Sequence, residues 1–175
     1  YIITYNGEIY NHKFLRHQVD SVSPIAWRGS SDTESLLEYI SRFGFLAAIK
    51  NSVGMFAFSL WDTHRRCLIL ARDAFGEKPL YYGFQGLSFL FASELKALRC
   101  HPDFIGEINR SSLAHFFRYN CIHSPRSIYQ GIYKLEPSSY IVLQQSDLQS
   151  RSLPAISHYQ HSSFDINLST FFTYN

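Results

Sequence analysis

The beginning of the chain has apolar residues spaced as one strand followed by two helices. Residues 2–5 favour an extended strand, which we expect to end at Asn6-Gly7. Helical spacing predicts a short helix capped by Asn11, then a second helix that begins at the capping box Ser31-Asp32-Thr33-Glu34 and ends at Gly44. The apolar residues that follow this spacing are Phe14, Leu15, Val19, Leu36, Leu37, Ile40 and Phe43.

The middle of the chain is rich in predicted strands. Residues 55–61 are apolar at both alternating positions, which is typical of a strand buried on two faces. We expect it to pair with residues 67–71, and we expect a second hairpin over 80–92. Further predicted elements are a short helix capped by Ser93, a helix capped by Ser111 or Ser112, and a strand at 140–143. Because strands and helices mix without strict βαβ alternation, the pattern favours a layered α+β domain.

The regular pattern fades after residue 143. Residues 144–175 contain many Ser, Gln and His residues with scattered aromatic residues. We therefore expect one domain over 1–143 and an irregular tail or linker over 144–175. His158 and His161 lie in this tail without a suitably spaced acidic partner, so we interpret them as solvated and not as metal ligands.

Composition and charge narrow the class of protein. The 175 residues are 46% hydrophobic and 17% aromatic, which indicates a packed globular domain. The net charge is +2 and no Lys/Arg cluster exceeds a pair, so neither nucleic-acid nor membrane binding is expected. Three widely spaced cysteines argue against a disulfide framework or a zinc site and favour a reducing compartment, the cytoplasm.

Asn6-Gly7 is the first candidate for chemistry. The Asn side-chain amide beside a Gly backbone N–H, with no Cβ in the way, can stabilise an oxyanion. The same dipeptide is also the commonest signal for a tight hairpin turn, so a plain turn is the alternative. Glu8 follows directly and would project near the same pocket, although a solvated surface glutamate is the simpler explanation.

Asp32 lies in the first turn of the second predicted helix and has two interpretations. Its carboxylate could interact only with the helix dipole, or it could hold the ammonium group of an amino acid. Together with Asn6, Gly7 and Glu8, it would supply donors for a carbonyl and acidic groups for an α-amine. That combination suits a free amino acid better than a phosphate or a sugar.

A second dense motif covers residues 71–82, with the sequence Ala-Arg-Asp-Ala-Phe-Gly-Glu-Lys-Pro-Leu-Tyr-Tyr. Gly76 permits a turn and Pro79 directs the chain into the next strand. Arg72 and Asp73 could form a structural corner or take a direct part in the site, and both interpretations stay open.

Several motifs, in order, resemble the glutaminase half of asparagine synthetases over about residues 1–143. They are Asn6-Gly7-Glu8-Ile9-Tyr10-Asn11, Gly29-Ser30-Ser31-Asp32-Thr33-Glu34, Gly54-Met55-Phe56-Ala57-Phe58, Leu60-Trp61-Asp62, residues 71–82, residues 91–98, Ser124-Pro125-Arg126-Ser127-Ile128-Tyr129, Gly131-Ile132 and Lys134-Leu135.

This resemblance implies a class II glutamine amidotransferase domain with the N-terminal-nucleophile hydrolase fold, a four-layer αββα sandwich with two antiparallel sheets. In such domains an N-terminal Cys attacks the glutamine side-chain amide, and its own α-amine is the base. Carried over to this chain, Asn6 and Gly7 would form the oxyanion hole, and Asn6, Gly7, Glu8 and Asp32 would bind glutamine. The resemblance implies no cofactor in this domain, whereas the synthetase half would use ATP and Mg²⁺.

The chain opens on Tyr1 inside a predicted strand, so we expect a fragment that lacks the nucleophilic Cys, a carboxylate-binding Arg and the synthetase half. Cys67, on a predicted interior strand, cannot replace a nucleophile that needs a free α-amine. By itself such a fragment is expected to be inactive, and its aggregation or assembly into a homodimer is left open. Two alternatives to asparagine synthesis also stay open: amidation of another carboxylate such as a sugar acid, and a non-catalytic module that binds glutamine or a partner.

Overall fold

The computed structural model describes residues 1–161 of the chain. Over these residues the elements in chain order are β1 (Ile2–Ile9), α1 (His12–Val22), α2 (Asp32–Phe43), α3 (Phe45–Asn51), β2 (Gly54–Asp62), β3 (Cys67–Arg72), β4 (Tyr81–Gln85), β5 (Ser88–Ala92), α4 (Leu95–Leu98), α5 (Arg110–Tyr119), β6 (Ile132–Lys134), β7 (Ser139–Leu143), α6 (Gln145–Ser150) and β8 (Ser157–His158). None of the helices in this part of the chain has the length and apolar character needed to cross a membrane.

The strands form two antiparallel sheets. The larger sheet has the order β1-β2-β3-β7-β8, and the smaller one has the order β5-β4-β6. The predicted pairings of the second strand with the third, and of the two strands of the second hairpin, are both confirmed. β1 is an edge strand among the described residues, and this position decides the geometry of the candidate site.

Three apolar clusters separate four layers. The largest cluster lies between helices α1–α3 and one face of the larger sheet, and includes Leu36 and Phe58. The second lies between the two sheets and includes Leu70 and Leu80. The third packs Leu98 of α4 against the outer face of the smaller sheet. The predicted α+β fold with two antiparallel sheets between helical layers is therefore confirmed.

Strand β1 differs from its prediction at the Asn-Gly dipeptide. The strand does not end at Asn6-Gly7 but continues to Ile9, with Gly7 opposite Phe56 and Glu8 opposite Met55. Neither a strand exit nor a hairpin turn is present there. Pairing with β2 along all eight residues of β1 overrides the local turn preference of Asn-Gly.

The segment after residue 143 also differs from the irregular tail that we expected, because it contains α6 and β8. Tyr159 is buried in the helix-side core, and its hydroxyl donates to the Arg72 carbonyl at 2.8 Å. His161 is buried rather than solvated, with Nε2 2.6 Å from the Ser52 carbonyl oxygen. His158 stays exposed, 3.4 Å from the Glu136 carboxylate. The expected tail beyond residue 161 lies outside the described residues.

Candidate active site

The backbone N–H of Gly7 faces the open edge of β1. Phe56, the residue opposite Gly7, directs its own backbone groups towards β3: its carbonyl accepts from Asp73 N at 2.8 Å, and its N–H donates to Asp73 Oδ2 at 3.3 Å. In an antiparallel pair the residues alternate between hydrogen-bonded and non-hydrogen-bonded positions. Gly7 therefore occupies a non-hydrogen-bonded position, and its N–H points away from β2.

The same alternation holds at the end of β1. Tyr10 N donates to the Val53 carbonyl at 2.8 Å, so even-numbered residues bond to β2 and odd-numbered residues face outward. Ile9 N accordingly points to the open edge, where it donates to Asp32 Oδ2 at 2.9 Å. Gly7 and Ile9 are two residues apart, so their outward N–H groups lie about 7 Å apart on one edge.

Gly7 is required by the close approach of β1 and β2. A Cβ at Gly7 would lie 2.1 Å from the Met55 carbonyl oxygen and 2.6 Å from Phe56 Cα. Gly54 meets the other strand in the same way, because a Cβ there would lie 2.1 Å from the Glu8 carbonyl oxygen. Both glycines also have extended backbones with positive φ, near +156°. The two strands thus pack backbone against backbone beside the predicted site.

Asn6 presents its side chain to the cleft between the two sheets. Its Nδ2 donates to Ser93 Oγ at 3.0 Å, just after β5. The cleft has a volume of about 260 Å³, and β1, β2 and the end of β5 line it. A side-chain amide carries two N–H groups, and this contact uses one of them. The other forms no hydrogen bond among the described residues, so it remains available to a ligand.

Asp32 links the start of α2 to the edge of β1. Its Oδ2 accepts from the Tyr5 hydroxyl and from Ile9 N, each at 2.9 Å, while Oδ1 accepts from Thr33 N at 2.8 Å. Partial burial of Asp32 opposes ionisation, but these hydrogen bonds together lower the pKa of its carboxyl group below the ordinary value. A negative charge is therefore held next to the outward N–H groups of β1.

Glu8 and Asp32 act on the same hydroxyl group. Burial is the largest cause that raises the pKa of Tyr5 above its ordinary value, and the hydrogen bond to Asp32 and the charges of Asp32 and Glu8 raise it further. Glu8 is an exposed residue, and no hydrogen bond within the described residues uses its carboxylate. The structure thus places the outward N–H of Gly7 and the Asp32 carboxylate at one edge of β1, while Asn6 and Glu8, two residues apart on the strand, project from its inter-sheet face.

Sequence reasoning missed two residues that contact this set, Tyr5 and Ser93. The sequence pattern indicates only that Tyr5 is an apolar residue of a strand. No neighbouring residue indicates that its hydroxyl reaches a helix 27 positions away. Ser93 was predicted to cap a helix, which is wrong: Glu94 is the N-cap of α4, and the Ser93 hydroxyl accepts from Asn6. Only the packing of the two sheets brings Ser93 to β1.

The motif around Arg72 and Asp73 forms a structural corner. The fully buried Asp73 carboxylate accepts from four backbone N–H groups, those of Phe56, Phe75, Glu77 and Lys78. The Arg72 guanidinium donates to three carbonyls, those of Gly76, Lys78 and Leu135. Both side chains therefore bind backbone groups around the turn, and these contacts include none of the four predicted site residues.

Residues 1–161 contain no group of three or more His, Cys, Asp or Glu side chains placed to hold a metal ion. Their three cysteines are free: Cys67 is buried in β3, whereas Cys100 and Cys121 are exposed after α4 and α5. None of the three forms a hydrogen bond with Asn6 or Gly7 in this part of the chain.

Most of the chain matches one known protein family. Residues 1–153 match the family model described as a glutamine amidotransferase domain. The chain is 35% identical over 149 residues to asparagine synthetase [glutamine-hydrolyzing] 3 of Bacillus subtilis, covering 85% of this chain and 24% of the relative. It is also 35% identical over 144 residues to asparagine synthetase [glutamine-hydrolyzing] 1 of the same organism, covering 82% and 22%. The chain thus spans about a quarter of the length of these curated relatives.

The fold has a counterpart among solved structures. The glutamine phosphoribosylpyrophosphate amidotransferase from B. subtilis, complexed with ADP and GMP, superposes with a TM-score of 0.60 at 20% identity. The superposition covers 89% of this chain and 28% of that one. Since the family model matches most of the sequence and the fold agrees, this chain belongs to the glutamine amidotransferase domain family.

Proposed function

We propose that this chain binds glutamine and forms the glutaminase part of a glutamine-hydrolysing asparagine synthetase. The observation that carries the proposal is the outward N–H of Gly7 on the open edge of β1, beside the Asn6 amide and the Asp32 carboxylate. These groups match the polar ends of glutamine, which has a side-chain carbonyl at one end and an ammonium group at the other.

In the proposed reaction, a cysteine nucleophile attacks the carbon of the glutamine side-chain amide. We propose that this cysteine lies outside these 175 residues, in the protein that contains the chain. The Gly7 N–H and the Asn6 amide donate to the oxyanion that forms. Ammonia then departs, and the glutamine carbon stays joined to the cysteine sulfur as a thioester. Water hydrolyses this thioester and releases glutamate.

The ammonium group of glutamine is assigned to Glu8 and Asp32. Hydrogen bonds lower the pKa of Asp32, which keeps its carboxylate charged at neutral pH. The Asp32 oxygens already accept three hydrogen bonds shorter than 3 Å, so Asp32 contributes mainly a fixed negative charge to ammonium binding. The Glu8 carboxylate is exposed and is used by no hydrogen bond among the described residues, so we assign the direct contact to it.

The acceptor of the ammonia is proposed to be aspartate, since the curated relatives named above are asparagine synthetases. That step would take place in a synthetase part that uses ATP and Mg²⁺. No contact in the described residues favours a different carboxylate over aspartate.

The test uses the full-length protein that contains this chain and measures glutamate release from glutamine. Asn6→Ala should lower kcat by about 10²–10³-fold, because one oxyanion donor is lost. Glu8→Gln should mainly raise KM for glutamine. Its matched control is Glu107→Gln, which changes an exposed glutamate that contacts Gln130, a residue outside the candidate site.

Asparagine formation with an ammonium salt in place of glutamine is the second readout. Asn6→Ala should leave this activity intact, which separates loss of the glutaminase step from loss of folding. Glutaminase turnover of Asn6→Ala within about threefold of the wild type would refute the assignment of the oxyanion hole.

A further inference from the structure

A cysteine and a histidine form an exposed pair in the loop that follows α5. Cys121 Sγ lies 3.2 Å from His123 Nε2, and both residues are exposed at the surface. A neutral imidazole nitrogen at this distance can accept the thiol proton, which is the arrangement that activates a cysteine nucleophile. The pair has no part in the glutamine site described above.

The backbone holds this loop in place. Asn120 ends α5 with a left-handed conformation, and its N–H donates to the Phe116 carbonyl at 2.8 Å. Arg126 N donates to the His123 carbonyl at 3.0 Å, and Lys134 Nζ lies 3.4 Å from the Ile122 carbonyl oxygen. The thiol and the imidazole are therefore presented by a loop with anchored ends.

The imidazole of His123 lies near the aromatic ring that ends α5. The ring centroid of Tyr119 is 6.4 Å from that of His123, with the rings tilted by 60°. Tyr119 in turn contacts the ring of His115 and lies under the guanidinium of Arg118. His123 therefore lies beside the aromatic end of α5, next to the Cys121 thiol.

The other two cysteines lack this arrangement. Cys100 is exposed, but its thiol donates to the Lys96 carbonyl at 3.5 Å, and the neighbouring His101 Nδ1 accepts from Asp103 N. Cys67 is buried in β3, and burial raises the pKa of its thiol. The chain thus carries three thiols in three environments, and one of them has a base within contact distance.

We propose that Cys121, with His123 as its base, is a site of covalent modification by small-molecule disulfides. His123 Nε2 takes the proton of the Cys121 thiol, and the thiolate attacks one sulfur of the disulfide. A new S–S bond forms to Cys121 while the original S–S bond breaks. The leaving thiolate takes the proton from the imidazolium, so the reaction needs no other oxidant.

A group attached to Cys121 would lie beside an apolar groove. Ile122 and Arg126, on the same loop, line a groove of about 350 Å³ together with Phe116 of α5. An adduct on Cys121 would add bulk and polar groups next to this groove. The site therefore offers a way to alter this surface at the end of α5, on the side of the smaller sheet.

The test compares the three thiols in one sample of the protein. Oxidised glutathione is added at neutral pH, and peptide mass spectrometry measures the rate of adduct formation at each cysteine. Cys121 should react about threefold to tenfold faster than Cys100, and Cys67 should react only after unfolding. Equal rates at Cys121 and Cys100 would overturn the proposal.

His123→Gln is the decisive variant. It should lower the Cys121 rate to that of Cys100, while the Cys100 rate stays unchanged as an internal reference. Protection of Cys67 in the same sample reports that the variant is folded. A Cys121 rate that His123→Gln does not change would show that the imidazole is not the base.

Discussion

Replacing Gly7 by alanine tests the close packing of β1 against β2. The new Cβ would lie 2.1 Å from the Met55 carbonyl oxygen, whereas ordinary contacts of a Cβ begin near 3.4 Å. The two atoms nearest to this Cβ both belong to the backbone of β2, so no side-chain rotation can relieve the overlap. The two strands must therefore separate by about 1 Å. Steric overlap and the strained positive φ together predict a loss of about 2–4 kcal/mol of unfolding free energy.

Gly44→Ala is the matched control. Gly44 also has a positive φ, +84°, but a Cβ there would meet nothing within 4 Å. Its replacement should cost only the backbone conformational term, about 1–2 kcal/mol. The assay is urea unfolding followed by circular dichroism for both variants and the wild type. A loss for Gly7→Ala no larger than that for Gly44→Ala would refute the reasoning.

Three further predictions concern buried or partly buried carboxylates. Tyr5→Phe removes a donor to Asp32, so the pKa of Asp32 should rise towards its ordinary value in a carbon-13 NMR titration, and an unshifted titration would contradict the contact. Because folding lowers the pKa of Asp32, its contribution to stability is present above the unfolded pKa of about 4 and is lost as the pH falls through the folded value. The difference in unfolding free energy between wild type and Asp32→Asn should therefore shrink on acidification, and a constant difference would refute it. Asp73→Asn leaves one acceptor oxygen for four N–H donors and should lower the free energy of unfolding in urea by about 2–4 kcal/mol. A loss below about 1 kcal/mol would contradict the structural role that we assign to the Asp73 carboxylate.

The elements that local patterns specify were predictable from the sequence. The capping box at Ser31 predicted the start of α2, and the Ser31 hydroxyl does accept from Thr33 N at 3.1 Å. Glu34, however, does not close the box, because its carboxylate accepts from the N–H groups of Arg28 and Gly29. The preceding loop folds back onto the helix start, and no local pattern contains that information.

Features that depend on distant partners were not predictable. Asn6-Gly7 has the local signature of a turn, but the dipeptide stays in the strand because β1 pairs with β2 along its whole length, with Gly7 opposite Phe56. Residues 144–161 are held by partners far along the chain, as when Tyr159 donates to the Arg72 carbonyl and packs in the helix-side core. In both cases the deciding partner lies more than 40 residues away along the chain.

The two interpretations of Asp32 from the sequence are compatible, and the structure gives the reason. Asp32 lies at the start of α2, where its Oδ1 accepts a hydrogen bond from Thr33 N. This contact at the helix N-terminus is its structural role. The other oxygen reaches across to Ile9 N on the open edge of β1, next to the outward N–H of Gly7. A carboxylate held in this way is fixed in position and in charge before any ligand arrives. An ammonium group bound beside it would meet a preorganised anion, so the contacts that make Asp32 structural also suit it to the proposed glutamine site.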